Sequence, residues 1–518
     1  MLQVLLLLCA ANVFNTAESA RILAFFPAPS ISHQVVFRPL TQELVKRGHE
    51  VVVITPDPAF PKGKAPANLT EIDVHDISYA FADKFLTKDR GKKEDFYSQF
   101  AALMEVFPAI FEAQLQVPEV NRIITEERHA FDLLIIESCA RAALGLSHII
   151  KAPMIQISSL GVTGLQYALA GTPIQPFLYP TSMQQRIYNL SLFEKIRQTY
   201  DLIYLMYSIY RTQHLDYAVT KKYFGDDMPI FEILFSNTKI LFINEHPFWA
   251  DNRPVAPNVV YIGGIHQTKD KPLPNDLKAY LDSSKNGVIY VSFGTNVKPH
   301  MLAMDKIKIM VDVLSKMPYD VLWKWDANEL PGISKNIKIS KWLPQSDLLK
   351  HPKIKLFITQ GGLQSTDEAI SAGVPLIGIP LLADQWYNVE KYVFHKIGVH
   401  QDYSSITADG FKNALDTILH NSSYKANIER LRGLMREHPV KPLDTAVFWT
   451  EHVIKHGGDH LQPPNAGISG IIAYCEFPLL FTILSILISA TALVAITLSY
   501  IWKLMISKVP LKIKLKVL

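Results

Sequence analysis

The stretch WLPQSDLLKHPKIKLFITQGGLQSTDEAISAGVPLIGIPLLADQ, residues 342–385, decides the fold. Within it, the apolar segment KLFIT leads through a Gly-Gly turn into a helical segment, and a second apolar segment, PLIGIP, follows. Short apolar runs bounded by glycine and proline are typical of strands that are buried on both faces. The order strand, helix, strand predicts a βαβ unit and therefore a parallel sheet.

The same pattern occurs at the start of each half of the globular region. ILAFFP follows Arg21, a helix is predicted from about 34 to 47, and the strand EVVVITP comes next. GVIYVSFGT (287–295) starts the pattern again, with a helix at about 301–316 and a strand at 319–325. We therefore predict an α/β protein with two Rossmann-like halves. Neither half contains G-x-G-x-x-G or a Walker loop, which disfavours a nicotinamide oxidoreductase or a P-loop NTPase.

Composition limits the class of protein further. A chain of 518 residues with 48% hydrophobic and 19% charged residues is expected to form two ordered domains. Five lysines in the last sixteen residues account for the net charge of +4, so a nucleic-acid partner is not supported. Three cysteines form no disulfide framework, and Cys139 is predicted to be a small buried residue rather than a nucleophile.

Composition shifts along the chain suggest six segments. We predict a signal peptide (1–19), an N-terminal domain (20–266), a polar linker (267–286), a C-terminal domain (287–460), a transmembrane helix (478–502) and a lysine-rich tail (503–518).

The apolar segment near the C-terminus predicts the location of the protein. Its 25 uncharged residues can span about 30 Å of hydrocarbon, and the lysines that follow place the tail in the cytosol and the domains in the lumen. Lys514 and Lys516 resemble a dilysine retrieval signal of the endoplasmic reticulum, although membrane-flanking charge explains them equally well. Three glycosylation sequons would be usable in the lumen, at Asn68, Asn189 and Asn421.

Two residues of the first half are candidates for proton transfer. His33 lies between the C-terminal end of the first strand and the first turn of the helix, where open α/β sheets bind ligands. The positive end of that helix favours a neutral imidazole, which can accept a proton. Glu137 ends the predicted strand FDLLIIE and could hold the tautomer of His33, although a capping or surface carboxylate is the alternative.

The second half carries residue types that suit a nucleotide and a sugar. Small residues after a buried strand and amide groups at a helix start can hold phosphates, an exposed tryptophan offers a face to a flat ring, and carboxylates accept hydrogen bonds from hydroxyls. The candidates are Ser292, Gly294 and Thr295, then Trp342, then Gln360, Gly361, Gly362, Gln364 and Ser365, and finally Glu368, Asp384 and Gln385.

Together these residues and the segment order resemble the membrane-bound UDP-glycosyltransferases of animals, and most of all the insect members. The resemblance covers essentially the whole chain. It implies the GT-B fold, with two facing Rossmann-like domains around a cleft, and the transfer of a sugar from a UDP-sugar to a small lipophilic acceptor. It further implies inversion at the anomeric carbon, with no metal and no other cofactor.

The resemblance also implies a role for each position. His33 corresponds to the catalytic base and Glu137 to its partner. Trp342 corresponds to the residue that stacks on uracil and Gln345 to its polar neighbour. Gly362, Gln364 and Ser365 fall on the diphosphate turn, with Ser292, Gly294 and Thr295 as a second phosphate loop. Glu368 corresponds to the ribose-binding acid, and Asp384 and Gln385 to the pair that contacts the donor sugar.

The sequence departs from the family pattern at two positions. Gln360 stands where most relatives have histidine, and an amide donates to phosphate without a positive charge. We expect this difference to affect donor binding rather than the chemical step. Glu137 stands where relatives usually have aspartate, and the extra methylene changes its reach toward His33.

The sequence leaves several alternatives open. The donor is expected to be UDP-glucose rather than UDP-glucuronate, and the chain could form homo- or hetero-oligomers. The aromatic and aliphatic segments of 160–240 could line an acceptor pocket or complete the core. Other possible functions are a glycosyltransferase of the endoplasmic reticulum that acts on proteins or glycolipids, and a binding protein without turnover.

Overall fold

The computed structural model describes residues 19–85, 95–267, 270–437, 439–474 and 476–507. The predicted signal peptide before Ser19, the cysteines Cys9 and Cys475, and the tail beyond Ser507 lie outside the described residues.

Two parallel sheets form the framework. The first has the order β3-β2-β1-β4-β5-β6-β7 and the second the order β10-β9-β8-β11-β12-β13. Every pairing between neighbouring strands is parallel. The strands are β1 (Arg21–Phe25), β2 (Glu50–Thr55), β3 (Leu69–Asp73), β4 (Leu133–Glu137), β5 (Met154–Ser158), β6 (Thr238–Ile243), β7 (Val259–Tyr261), β8 (Val288–Ser292), β9 (Asp320–Lys324), β10 (Ile337–Ser340), β11 (Ile354–Thr359), β12 (Leu376–Gly378) and β13 (Gly398–His400).

Helices cover the sheets, which explains why the central strands are apolar throughout rather than alternating. In chain order the helices of the first half are α1 (Ile31–Lys46), α2 (His75–Phe85), α3 (Asp95–Leu115), α4 (Pro118–Thr125), α5 (Leu146–Ile149), α6 (Gly164–Leu169), α7 (Leu192–Phe224) and α8 (Phe231–Phe235). The remaining helices are α9 (Asn275–Ser283), α10 (Met304–Ser315), α11 (Gln345–Leu349), α12 (Leu363–Ala372), α13 (Gln385–Phe394), α14 (Ala408–Leu419), α15 (Ser422–Arg436), α16 (Pro442–His456), α17 (Gly467–Tyr474) and α18 (Phe477–Ser507).

The predicted fold class is confirmed. Both sheets are of the Rossmann-like type, and α18 is the one single helix in the described part of the chain that is long and apolar enough to cross a membrane. It contains the predicted span 478–502 and extends it at both ends.

Two features of the domain prediction need to be changed. The predicted linker 267–286 contains helix α9, because Leu277 and Leu281 are buried in the core of the second half. The end of the predicted C-terminal domain does not stay with the second sheet. Helix α16 packs against the first half, where Ala446 and Val447 join the core around β1 and β2.

Candidate active site

The cleft between the two sheets contains a cavity of about 570 Å³. It lies where both sheets reverse their strand order, between β1 and β4 in the first and between β8 and β11 in the second. Loops at the carboxyl ends of strands diverge at such switch points and leave room for a ligand.

The cavity brings together thirteen of the fifteen predicted site residues. The other two, Glu137 and Gly361, do not line it. The thirteen are His33, Ser292, Gly294, Thr295, Trp342, Gln345, Gln360, Gly362, Gln364, Ser365, Glu368, Asp384 and Gln385.

His33 and Glu137 meet because they flank the switch point of the first sheet. His33 lies in the first turn of α1, after β1, and Glu137 is the last residue of the neighbouring strand β4. The Nδ1 atom of His33 is 2.6 Å from Oε1 of Glu137, and the backbone N–H of Ala28 donates to Oε2 over 3.0 Å. The carboxylate is 1% exposed. It can accept a hydrogen bond from an N–H at Nδ1, and in that tautomer the unprotonated Nε2 can act as a base.

Cys139 lies beside this pair. Its sulfur and the ligand atoms of His33 and Glu137 are within 4.8 Å of one another, a spacing that could suit a metal ion. Burial and the neighbouring Glu137 raise the pKa of the Cys139 thiol well above its usual value, so the thiolate form is disfavoured. Both oxygens of Glu137 already accept hydrogen bonds. The group therefore fits a hydrogen-bonded base better than a metal centre. Cys139 was predicted to be buried, but it is partly exposed and lines the cavity.

Asp384 faces His33 from the second half. Burial raises the pKa of Asp384 to about 6, against the opposing effects of a hydrogen bond from Asn388 and of His33. The backbone N–H of Leu363 also donates to this carboxylate. One of the amides predicted to be free at the start of α12 is therefore already used.

The turn before Asp384 is strained. Ala383 has φ of +52°, a left-handed conformation that non-glycine residues rarely adopt and that often marks a functional site. The side-chain oxygen of Gln385 accepts from the amides of Leu381 and Leu382, both over 2.8 Å. Gln385 thus holds the turn, and only its amide nitrogen could reach a sugar hydroxyl.

A hydrogen-bonded chain occupies the side of the cavity next to Trp342, which is 65% exposed. The Tyr290 hydroxyl donates to Oε1 of Gln345 over 3.0 Å, and Nε2 of Gln345 donates to Ser365 and Glu368 over 2.9 and 2.8 Å. Burial raises the pKa of Glu368 to about 7, although the hydrogen bond from Gln345 opposes the shift. Glu368 is thus held in place as an acceptor.

The titration of Glu368 predicts a pH-dependent difference in stability. Its pKa in the folded protein lies above the ordinary value of 4.5, so between these values the folded state binds more protons than the unfolded state. The stability that wild type holds over Glu368→Gln should therefore fall as the pH rises from about 4.5 to about 7. Thermal unfolding of both proteins without ligand at several pH values measures this difference. A difference that is constant or grows with pH would contradict the assignment.

Glycines allow the two predicted phosphate loops to approach each other. Gly294 has φ of +74°, and a Cβ at this position would overlap the side-chain nitrogen of Gln360. Gly361 has φ of +90°, and its Cβ would be 2.6 Å from Val389. The side-chain oxygen of Gln360 is buried without a hydrogen-bond partner among the described residues.

Replacing Gly294 with alanine should weaken donor binding. The new methyl group would displace Gln360, and the positive φ adds strain of about 1 kcal/mol. We expect UDP affinity to fall by about tenfold. Gly433→Ala is the matched control, because nothing lies within 4 Å of a Cβ built at that helical glycine. Calorimetric titration with UDP measures both variants, and an equal affinity for the two would contradict the prediction.

The side chain of Gln364, predicted to face the diphosphate, donates to the carbonyl of Ser159 in the first half over 2.9 Å.

Two residues at the site carry no motif and were missed. Asn296 donates to Ser30 over 3.0 Å, close to His33. Lys324 is the only lysine or arginine among the described residues of the cavity wall. Its Nζ donates to the Gly294 carbonyl over 3.1 Å and pairs with Asp326 at 2.7 Å.

The apolar part of the cavity comes mainly from α3. Of the segment 160–240, which was left open as acceptor pocket or core, only Leu160 and Met183 reach the cavity. The contributing positions of α3 recur every three or four residues, so their helical periodicity could have identified them as one face. They are Phe96, Phe100, Leu103, Phe107 and Ile110.

The chain resembles proteins of known activity. The sequence profile described as "UDP-glucoronosyl and UDP-glucosyl transferase" matches residues 21–509. The ecdysteroid UDP-glucosyltransferase of Lymantria dispar multicapsid nuclear polyhedrosis virus is 35% identical over 91% of this chain and 95% of its own length. The UDP-glucosyltransferase 2 of Dactylopius coccus is 32% identical over 88% of each chain. Human UDP-glucuronosyltransferase 2B17 is 28% identical over 89% of each chain.

Solved structures support the fold. A UDP-glucose:anthocyanidin 3-O-glucosyltransferase in complex with UDP superposes with a TM-score of 0.57 at 16% identity, over 85% of this chain and 99% of that one. The match of the profile to nearly the whole chain and the identity to the viral enzyme lead to one conclusion. The chain belongs to the family of UDP-glucuronosyl and UDP-glucosyl transferases, and it is a UDP-glycosyltransferase.

Proposed function

We propose that the protein transfers glucose from UDP-glucose to a hydroxyl group of a small lipophilic acceptor, with inversion at the anomeric carbon and without a metal. The observation that carries this proposal is the position of the His33–Glu137 pair. His33 lines the cavity from the first half and is hydrogen-bonded to Glu137, and the predicted donor residues line the cavity from the second half.

The proposed reaction is a single displacement. Nε2 of His33 removes the proton from the acceptor hydroxyl as its oxygen forms a bond to the anomeric carbon. The bond from that carbon to the diphosphate oxygen breaks, and its electron pair leaves with UDP. The amides at the start of α12 and the side chain of Gln360 stabilise the developing charge. Glu137 stabilises the imidazolium, so the reaction needs no metal ion to activate the hydroxyl.

The residues that line the cavity support the proposed acceptor class and the proposed donor sugar. The apolar face of α3 suits a lipophilic acceptor, whereas a protein chain would need a wider polar groove. A glucuronate carboxylate would need a cation, but Lys324 already pairs with Asp326, and Asp384 would repel it. Both observations favour glucose as the donor sugar.

The proposed location is the membrane of the endoplasmic reticulum, with the two halves in the lumen and α18 as the anchor. The length and apolarity of α18 support this proposal, as do the exposed positions of the sequon residues Asn68, Asn189 and Asn421. Sensitivity of the expressed protein to endoglycosidase H would test it.

A comparison of UDP-glucose with UDP-glucuronate as donors tests the activity. Microsomes that contain the protein should release UDP from UDP-glucose when phenols or steroids are added, and should do so at least tenfold more slowly from UDP-glucuronate. The anomeric configuration of the product, read by proton NMR, should be β from the α-linked donor. A retained configuration would overturn the single displacement. UDP binding without acceptor-dependent UDP release would favour a binding protein.

A further inference from the structure

Helix α7 exposes large apolar side chains and buries polar ones. Six large apolar or aromatic residues recur at intervals of three and four positions and form one face, which we call the α7 stripe. All six are between 58% and 76% exposed, whereas Gln198, Ser208, Thr212 and Asp216 on the opposite face are buried. The stripe consists of Phe193, Ile196, Tyr200, Ile203, Tyr207 and Tyr210.

The buried polar side chains of α7 have partners that explain their position. Arg141 forms an ion pair with Asp216 and donates to Thr212, while the Thr212 hydroxyl donates to the carbonyl of Ser208. The inner face of the helix is therefore satisfied within the first half. The outer face of the helix is apolar and exposed. A contiguous apolar patch on a solvent-exposed surface marks a site that contacts another apolar surface.

The membrane anchor enters beside this region of the first half. Helix α17 ends two residues before the anchor begins at Phe477 and packs against α6 and α8. Helix α8 exposes Ile233, and the residue before the helix, Ile230, is exposed as well. The helix joins the anchor region to α7, because the ring of Phe231 stacks on Tyr217 at 4.4 Å. Seven residues beyond the end of the stripe, α7 is therefore connected through α8 and α17 to the point where the chain meets the bilayer.

The chemistry of the stripe favours a lipid surface over a second copy of the chain. Half of its residues are tyrosines, whose rings and hydroxyls suit the boundary between acyl chains and headgroups. In a coiled coil of two copies, the same hydroxyls would be buried in the seam. Arg197 and Arg211 flank the stripe on exposed positions and suit anionic headgroups.

We propose that α7 lies in the plane of the membrane, with the α7 stripe at the boundary between lipid headgroups and acyl chains. The protein then contacts the bilayer at two places, the anchor and this helix. Helix α3 packs along α7, with the rings of Tyr97 and Tyr204 5.7 Å apart. If the proposed function holds, the acceptor side of the cavity stands next to the lipid, where a lipophilic acceptor concentrates.

Fluorescent labels on the full-length chain test the proposal without measuring transfer. Ile203→Cys places an NBD label on the stripe, and Lys195→Cys places the same label on an exposed position of α7 outside it. Both variants carry Cys475→Ser. Native Cys139 is partly exposed at the cavity, but its thiol pKa is raised, so it should label more slowly than the introduced cysteines. The chain without an introduced cysteine measures the background.

In vesicles of phosphatidylcholine and phosphatidylserine, the label at position 203 should emit further to the blue than the label at position 195. Acyl-chain doxyl lipids should quench it at least threefold more strongly. Both effects should persist when the ratio of protein to lipid is lowered tenfold. A shift that needs a high ratio and escapes quenching would indicate a second copy and overturn the proposal. Equal emission from the two positions would overturn it as well.

Discussion

His33→Ala should lower kcat for sugar transfer by about 10²–10⁴-fold, because the proposed reaction loses its base. The imidazole lines the cavity and is held through Nδ1 by Glu137. UDP affinity should be essentially unchanged, since the predicted donor residues belong to the second half. Initial rates with a phenolic acceptor, together with calorimetric titration of UDP, measure the two effects separately.

A second histidine variant controls for the substitution itself. His420 is exposed at the end of α14 and does not line the cavity, so His420→Ala should retain wild-type rates. Imidazole added to His33→Ala should restore part of the activity if the missing group is a base. Wild-type kcat in His33→Ala would refute the proposed mechanism.

Glu137→Gln should lower kcat on the order of 10²-fold with little change in KM for the donor. The carboxylate now accepts from both His33 and the Ala28 amide. An amide has a single oxygen, so its NH₂ group must face one of these two N–H donors. The ring of His33 then loses its fixed tautomer and its stabilising charge. Measured kcat and KM at saturating donor test this expectation.

Two further variants locate the effect of Glu137. Glu137→Asp keeps the charge but withdraws it from Nδ1, so its rate should lie between those of wild type and Glu137→Gln. The double variant His33→Ala and Glu137→Gln should be no slower than His33→Ala alone, because the two residues act as one unit. Additive losses in the double variant would show that Glu137 acts independently of His33.

The order of local elements could be predicted from the sequence, because each buried strand and each glycine turn leaves a local pattern. The turn Gln360–Gly362 and the strand before it are examples. The contact between His33 and Glu137 follows from the same logic, since both stand at the carboxyl ends of strands. It also depends on β1 pairing with β4, which pattern alone does not fix.

Other parts of the site depend on contacts between distant segments. Gln364 belongs to a diphosphate-type turn by its position, yet its side chain reaches Ser159, 205 residues away. The acceptor wall on α3 has a clear helical period, but Phe100 or Phe107 could equally have packed in the core. Which face of a helix meets a cavity is decided by the tertiary packing, and a local pattern does not contain it.

The return of α16 to the first half restricts how the cleft can open. The chain passes from the first half to the second between β7 and β8 and comes back between α15 and α16. Because Ala446 and Val447 are buried in the core around β1 and β2, this return is fixed in place. The chain therefore crosses between the two halves at two places, and these two crossings define an axis. We expect the halves to rotate about this axis when the cleft opens. A donor would then be released by rotation, without sliding or separation of the halves.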